Sequence, residues 1–218
     1  MGVSRSEREL ATLDHDYVAA DLGTLEGCAL AVDETVKRLG PIDILVCNHG
    51  IGSADERVVW EQDPEFWRDS MRINLEGPFH LSRLVLPGMV ERRCGRLVFT
   101  SSTAGQIAEA ASSAYNSSKH GLLGLMRSVA LDGGPYNITS NAVLPGWVRT
   151  EMAERSAQRE AVERGLSVAE IWQERAALYP PGRVPTADEV AQLIAFLASD
   201  EASGVSGQAI TVALGGLS

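Results

Sequence analysis

The sequence predicts an α/β fold, a doubly wound parallel sheet with helices on both faces. Three observations carry this: short β-rich runs alternate with longer helical ones, the central strand runs are almost wholly apolar, and the links are short. Residues 17–20 form a first strand candidate. Asp21-Leu22-Gly23-Thr24 follows, with Thr24 placed to cap a helix over 25–39 and Gly40-Pro41 to stop it. Residues 42–47 (IDILVC) read as a strand buried on both faces, ending in the glycine-rich loop Asn48-His49-Gly50-Ile51-Gly52. Asp63-Pro64 opens a long helical stretch towards Glu91, predicted to bend near Pro78 and Pro87. Gly95 precedes a strand at 96–100 (RLVFT), a helix over 112–131 and a strand over 138–144 that ends at Pro145-Gly146. Two capping boxes, Ser167-x-x-Glu170 and Thr186-x-x-Glu189, each start a helix, and 209–212 is the last strand. With no internal repeat or linker, residues 1–218 read as one domain.

Composition narrows the function. Hydrophobic residues make up 44% and charged residues 22%, enough apolar material for one sizeable core. The formal charge is −10, from 19 basic and 29 acidic residues. Such a surface repels phosphate backbones and anionic lipid, so neither nucleic acid nor a membrane is an expected partner. No apolar run of 18 residues is present, and no apolar stretch follows residues 1–9. Cys28, Cys47 and Cys94 are widely spaced, which predicts no disulfide framework and a reducing, cytoplasmic location. His15, His49, His80 and His120 lack metal-ligand spacing, so no metal is expected.

In doubly wound sheets ligands bind beyond the carboxyl ends of the strands. That rule singles out Asp21-Leu22 and the loops 48–52, 101–105 and 145–150. The strongest chemical signal is Tyr115-Asn116-Ser117-Ser118-Lys119. Residues four apart share a helix face, so a phenol and an ammonium can share a site. A neighbouring cation favours the phenolate and draws the tyrosine pKa down towards working pH. The chain has four tyrosines, and two lysines against seventeen arginines. A chance spacing of this kind has a probability of roughly 4% on composition alone. Ser101-Ser102 follows a buried strand, where a hydroxyl can donate to an oxygen gaining charge; taken alone it reads sooner as a loop serine bonding its own backbone. Asn74, within Ile73-Asn74-Leu75, taken alone reads as a satisfied core amide.

Taken together, these residues resemble the short-chain dehydrogenase/reductase family, over residues 2–217. Tyr115 and Lys119 match its Tyr-x-x-x-Lys, Ser102 its serine thirteen residues earlier, and Asn74 its asparagine in Asn74-Leu75-Glu76-Gly77-Pro78-Phe79. Pro145-Gly146-Trp147-Val148-Arg149-Thr150 matches its Pro-Gly turn with a downstream threonine. Cys47-Asn48-His49-Gly50 is similar to its Asn-Asn-Ala-Gly, and Asp21-Leu22 to its Asp-Val/Leu. The resemblance implies a Rossmann-like fold and a nicotinamide cofactor, with Asp21 and Leu22 near the adenine and Asn48, His49 and Gly50 along the ribose. It places the backbone of Pro145, Gly146 and Val148 and the Thr150 hydroxyl at the carboxamide. It also implies that Ser102 polarises a substrate oxygen, Tyr115 protonates it, Lys119 lowers the tyrosine pKa and binds ribose, and Asn74 holds a relay water.

The same resemblance brings out departures. The family's opening strand and Thr-Gly-x-x-x-Gly-Ile-Gly loop have no counterpart, so the first strand, first helix and most of the second strand, roughly 30 residues, are expected to be missing. The family's sheet order then sets strand 17–20 about three spacings, roughly 14 Å, from strand 42–47, or collapses it against that strand. On this reading the gene begins upstream, or the chain is an inactive relative that acts only through oligomer formation. Ser4-Arg5 favours NADP(H) over NAD(H), with Arg5 at the 2′-phosphate. Residues 151–182 form a helical insert covering the substrate, with Trp147, Met152, Trp172 and Tyr179 as contacts. The insert and Gly215-Gly216-Leu217 look like polyketide ketoreductases and 3-oxoacyl carrier-protein reductases, which makes an acyl carrier protein a candidate partner, received by Arg92-Arg93. A small carbonyl or alcohol substrate without a carrier is the other option. The family also implies a homo-oligomer, a tetramer or dimer. A serine hydrolase built on Ser102 is the poorest reading, because no Gly-x-Ser-x-Gly elbow is present.

Overall fold

The computed structural model describes residues 1–12, 14–53 and 56–216, apart from the side chains of Arg8 and Glu9; Leu217 lies outside the described residues. Among them, six strands and eight α-helices follow one another along the chain. In order they are β1 (Gly2–Ser4), α1 (Glu7–Leu10), β2 (Tyr17–Ala19), α2 (Leu25–Leu39), β3 (Ile44–Cys47), α3 (Pro64–Met71), α4 (Gly77–Arg92) and β4 (Gly95–Thr100). Then follow α5 (Ser113–Gly133), β5 (Ile138–Pro145), α6 (Glu151–Arg164), α7 (Val168–Ala177), α8 (Ala187–Leu197) and β6 (Ala209–Val212). Every strand pair is parallel, in two pieces: β1-β2, and β3-β4-β5-β6.

Local chemistry sets the helix ends. The Thr24 side chain accepts from the Gly27 N–H (3.0 Å), and Gly40 ends α2 at φ 88°. Both capping boxes form, at Ser167/Glu170 and Thr186/Glu189. The long stretch after Asp63 breaks elsewhere than at its prolines. Residues Arg72–Glu76 form a π-helical turn between α3 and α4, Pro78 lies in the tolerant first turn of α4, and Pro87 sits inside α4. The extra residue of the π turn rotates Asn74 into the core, where it is fully buried.

Strand alternation divides the core in two. Leu97 and Phe99 of β4 pack under α2, α4 and α5 with Cys28, Leu81, Met89, Leu122 and Met126. Val98 and Val143 point to the opposite face, against Val190 and Leu197 of α8. On β3, Leu45 and Cys47 join the first core, whereas Ile44 and Val46 face the other side and remain 51% and 39% exposed. Between β1 and β3 runs a cleft of ≈ 670 Å³, lined by residues 1–5 on one side and Ile44, Leu45 and Val46 on the other. Its upper end holds Asp21, Leu22, Gly23, Asn48, His49, Gly50 and Ile51. The chain segments leaving β2 and β3 therefore reach the same edge. Gly77 holds them there: a Cβ on it would lie 2.2 Å from the Leu22 carbonyl oxygen and 2.8 Å from His49 Nε2.

Candidate active site

Ser102, Tyr115 and Lys119 converge where β4 and β5 end. Ser102 follows β4 and opens a short turn by accepting from the Ala104 N–H (3.2 Å). It also hydrogen-bonds the Tyr115 phenol. Tyr115 and Lys119 sit one turn apart on α5, with Nζ 5.7 Å from the phenol ring centroid. The Lys119 ammonium is buried and donates to the Thr100 carbonyl (3.0 Å), and burial pushes its pKa down to about 8. Ser101 Oγ–H donates to the Lys119 carbonyl (3.1 Å), tying helix to strand.

The tyrosine departs from the sequence-based expectation of a lowered pKa. Burial raises it, the Ser102 hydrogen bond lowers it and Glu109 raises it again, with a net shift upward. In this arrangement desolvation outweighs any help from the lysine.

The other predicted residues fall into two groups. Asp21, Leu22, Asn48, His49, Gly50 and Arg5 all line the β1–β3 cleft. The Asp21 carboxylate accepts from the Gly23 N–H (2.9 Å), with Arg72 at 3.5 Å, and its pKa is lowered chiefly by the Gly23 bond. Asn48 Oδ1 accepts from the Thr100 hydroxyl (2.9 Å). Burial drives the His49 pKa down to about 4, with Lys119 adding to the effect. Gly50 passes so close to the site that a Cβ would lie 3.1 Å from Asn74 Oδ1 and 3.5 Å from Lys119 Nζ. Protein groups hold Asn74: Oδ1 accepts from the Ile51 N–H (2.8 Å), and Nδ2 donates to the Ile51 carbonyl and the Ser118 hydroxyl (3.0 Å each), which leaves one lone pair of Oδ1 open.

The second group surrounds the loop after β5. The Gly146 N–H donates to the Val212 carbonyl (3.1 Å), and Pro145, Gly146, Trp147 and Val148 are partly exposed. The Thr150 side chain caps α6 by accepting from the Ala153 N–H (3.3 Å). The insert is a helical hairpin, α6 and α7, with its own core of Ala153, Ala157, Ala161, Ile171 and Trp172. Met152 is exposed and lies against Gly52, over the loop after β3. Trp172 and Tyr179, expected as substrate contacts, are instead 4% and 5% exposed. Trp172 Nε1 donates to Glu154 (2.9 Å), and the Tyr179 hydroxyl accepts from the Trp147 N–H (2.6 Å) while its ring packs on Gly146. They brace the site from behind. Arg92 and Arg93, the expected carrier-protein contacts, lie exposed on the surface; Arg92 pairs with Asp43 (3.1 Å), and Arg93 donates to the Pro135 carbonyl (2.8 Å).

The edge offers a dinucleotide polar groups on both walls of the cleft. Gly50 brings backbone close to Lys119, and Asp21 and Arg5 line the same cleft. Among the described residues, no helix N-terminus faces the middle of the cleft, where a diphosphate would seek one.

A serine, a phenol and a buried ammonium thus lie together at the carboxyl edge of a parallel α/β sheet. The chain belongs to the short-chain dehydrogenase/reductase family, and solved structures that it resembles hold NADPH or NAD+. It matches the family model described as enoyl-(acyl carrier protein) reductase over residues 2–217. It is 37% identical to the D-beta-hydroxybutyrate dehydrogenase of Cupriavidus necator over 169 residues, 77% of this chain and 65% of that one. The chain thus spans less than two thirds of that relative. It is 34% identical to an acetoacetyl-CoA reductase of Shinella zoogloeoides over 191 residues, 88% of this chain and 74% of that one. Among solved structures it is similar to a single-site variant of the actinorhodin polyketide ketoreductase with NADPH. That match has a TM-score of 0.89 and 32% identity, and covers 99% of this chain and 85% of the other. No helix among the described residues is long and apolar enough to cross a membrane.

Proposed function

We propose that this chain reduces a carbonyl compound to a secondary alcohol with NADPH. The observation that carries the reading is the convergence of the Ser102 hydroxyl, the Tyr115 phenol and the Lys119 ammonium at one sheet edge. When bound, the nicotinamide supplies hydride to the carbonyl carbon. Ser102 donates a hydrogen bond to the carbonyl oxygen as it gains charge, and Tyr115 delivers the proton to it. The phenol, whose pKa burial raises, is protonated at neutral pH, the form a proton donor needs. Lys119, beside the phenol ring, would stabilise the phenolate left after transfer and bind a ribose hydroxyl. Asn48, His49 and Gly50 would border the adenosine half, and Arg5 a 2′-phosphate. The backbone from Pro145 to Val148 would hold the carboxamide.

The substrate class follows the named relatives: a 3-oxoacyl thioester or a small ketone, delivered under the α6–α7 cover past Trp147 and Met152. Titrating the chain with NADPH, then following its oxidation by absorbance with acetoacetyl-CoA and small ketones, tests this. Tyr115→Phe should lower turnover by about 10³-fold or more while leaving NADPH affinity within a few-fold. Retained turnover in that variant overturns the assignment of the acid.

A further inference from the structure

We infer that Arg175 is a positioning residue for the substrate end of the site, acting through Trp147; this rests on the reductase reading above. Arg175 lies on α7 at the end of the stripe Val168, Ile171, Trp172 and Arg175, the i, i+3, i+4, i+7 pattern of a buried helix face. It obeys that pattern and is only 5% exposed, although it carries a charge.

Its guanidinium ties three elements together. The Cζ lies 3.7 Å from the Trp147 ring centroid and 5.1 Å from that of Trp172. Nη1 donates to the Ala153 carbonyl (3.1 Å), and Nη2 to the Ser156 hydroxyl and the Glu160 carboxylate (3.0 Å each). The loop after β5, helix α6 and helix α7 are thus fixed around one planar group. Nε remains without a partner among the described residues. Burying a charge that is incompletely paired is costly, and an apolar side chain of similar volume serves mere packing as well or better. What an apolar residue lacks is the flat, multiply donating fork that stacks on one indole and bonds two turns of a facing helix.

The loop backbone does not depend on this residue. Gly146 is held by Val212 and the Trp147 N–H by Tyr179. Arg175 instead sets the Trp147 ring and the α6 turn next to Met152, the two side chains on the substrate side. It therefore acts on substrate affinity and leaves cofactor affinity alone.

The test compares wild type, Arg175→Met and Arg175→Lys for melting temperature, NADPH Kd, and kcat and KM with acetoacetyl-CoA. Trypsin cleavage within α6, at Arg155, Arg159 and Arg164, is followed in parallel. The Met variant should melt no lower than wild type and keep its NADPH Kd within about threefold. Its KM should rise about tenfold with kcat within about threefold, and α6 cleavage should accelerate about tenfold; the Lys variant should not rescue KM. An unchanged KM, or a KM change accompanied by equal losses in kcat and cofactor affinity, overturns the inference. Should the Met variant fail to fold, Glu160→Gln, at a partly exposed position, should raise KM in the same direction, and an unchanged value there overturns it too. If wild type turns over no carbonyl, the reductase reading fails by itself. The cleavage arm then decides whether Arg175 fixes the cover.

Discussion

The side-chain amide of Asn74 clasps the peptide groups of Ile51 as a strand partner would, accepting from its N–H at 2.8 Å and donating to its carbonyl at 3.0 Å. The loop after β3 thereby borrows its hydrogen bonds from a helix instead of from a ladder. The π-helical turn at Arg72–Glu76 makes this reach possible by rotating Asn74 inward. Asn74→Ala should cost about 1–3 kcal/mol in urea unfolding, since the part-buried peptide groups of Ile51 lose their partner but can take up some water from the cleft. A loss below about 1 kcal/mol would mean that the loop re-pairs by itself and that the clasp is incidental.

Gly77 supplies the second constraint on the same edge. Its missing side chain leaves room for the Leu22 carbonyl and the His49 ring, so the segments leaving β2 and β3 can meet. Gly77→Ala places a methyl group against a backbone oxygen, which cannot move away as a flexible side chain could. Overpacking of this kind costs about 1–3 kcal/mol, and here it should also spread the upper end of the cleft. Thermal unfolding reads the first effect, and a weaker NADPH Kd reads the second. A variant with wild-type values for both would show that the two strand exits are not held together at this point.

His49 gives the edge a pH dependence. Burial holds its native pKa at about 4, below the ordinary value of 6.5, so the native state keeps the ring neutral. Between those values the unfolded chain binds more protons than the native one, and stability falls as pH drops from 6.5 towards 4. Above 6.5 the contribution is fully present. His49→Gln removes this group, so wild type should lose stability relative to the variant as pH falls from about 7 to about 5. Parallel curves across that window would show a ring that titrates alike in both states.

Much of this architecture is written locally. Thr24, Gly40, Ser167, Glu170, Thr186 and Glu189 act within one turn of chain, and their caps form as the sequence implies. The Tyr115–Lys119 pair is legible for the same reason, since helical spacing alone brings it onto one face. The π turn escapes such reading: two prolines mark bends in the sequence, whereas the actual break depends on the tertiary demand for Asn74 inside the core. The sign of the Tyr115 shift escapes for a similar reason, because burial is set by packing that no spacing reveals. Trp172 and Tyr179 look like substrate contacts as aromatic residues in a cover, yet their partners, Glu154 and the Trp147 peptide, draw them inward. Arg175 does leave a signal, a charge on an otherwise apolar helical stripe.

The open side of β3 carries the last prediction. Leu45 and Cys47 point into the main core, but Ile44 and Val46 face a side that α8 does not cover, and β1 forms no ladder with β3 across the cleft. An exposed apolar strand edge pairs readily with another chain, and a charge placed on it opposes that pairing. Val46→Lys should therefore reduce self-association in light scattering while changing stability by no more than about 1 kcal/mol, because the side chain already meets water. Cys47→Lys, one residue away on the other face and 1% exposed, should unfold the protein by burying an unpaired charge. The contrast between adjacent positions separates an edge effect from a general effect of added charge. If Val46→Lys associates as strongly as wild type and is destabilised as much as Cys47→Lys, the face bearing Val46 is packed in solution and the strand is not open there.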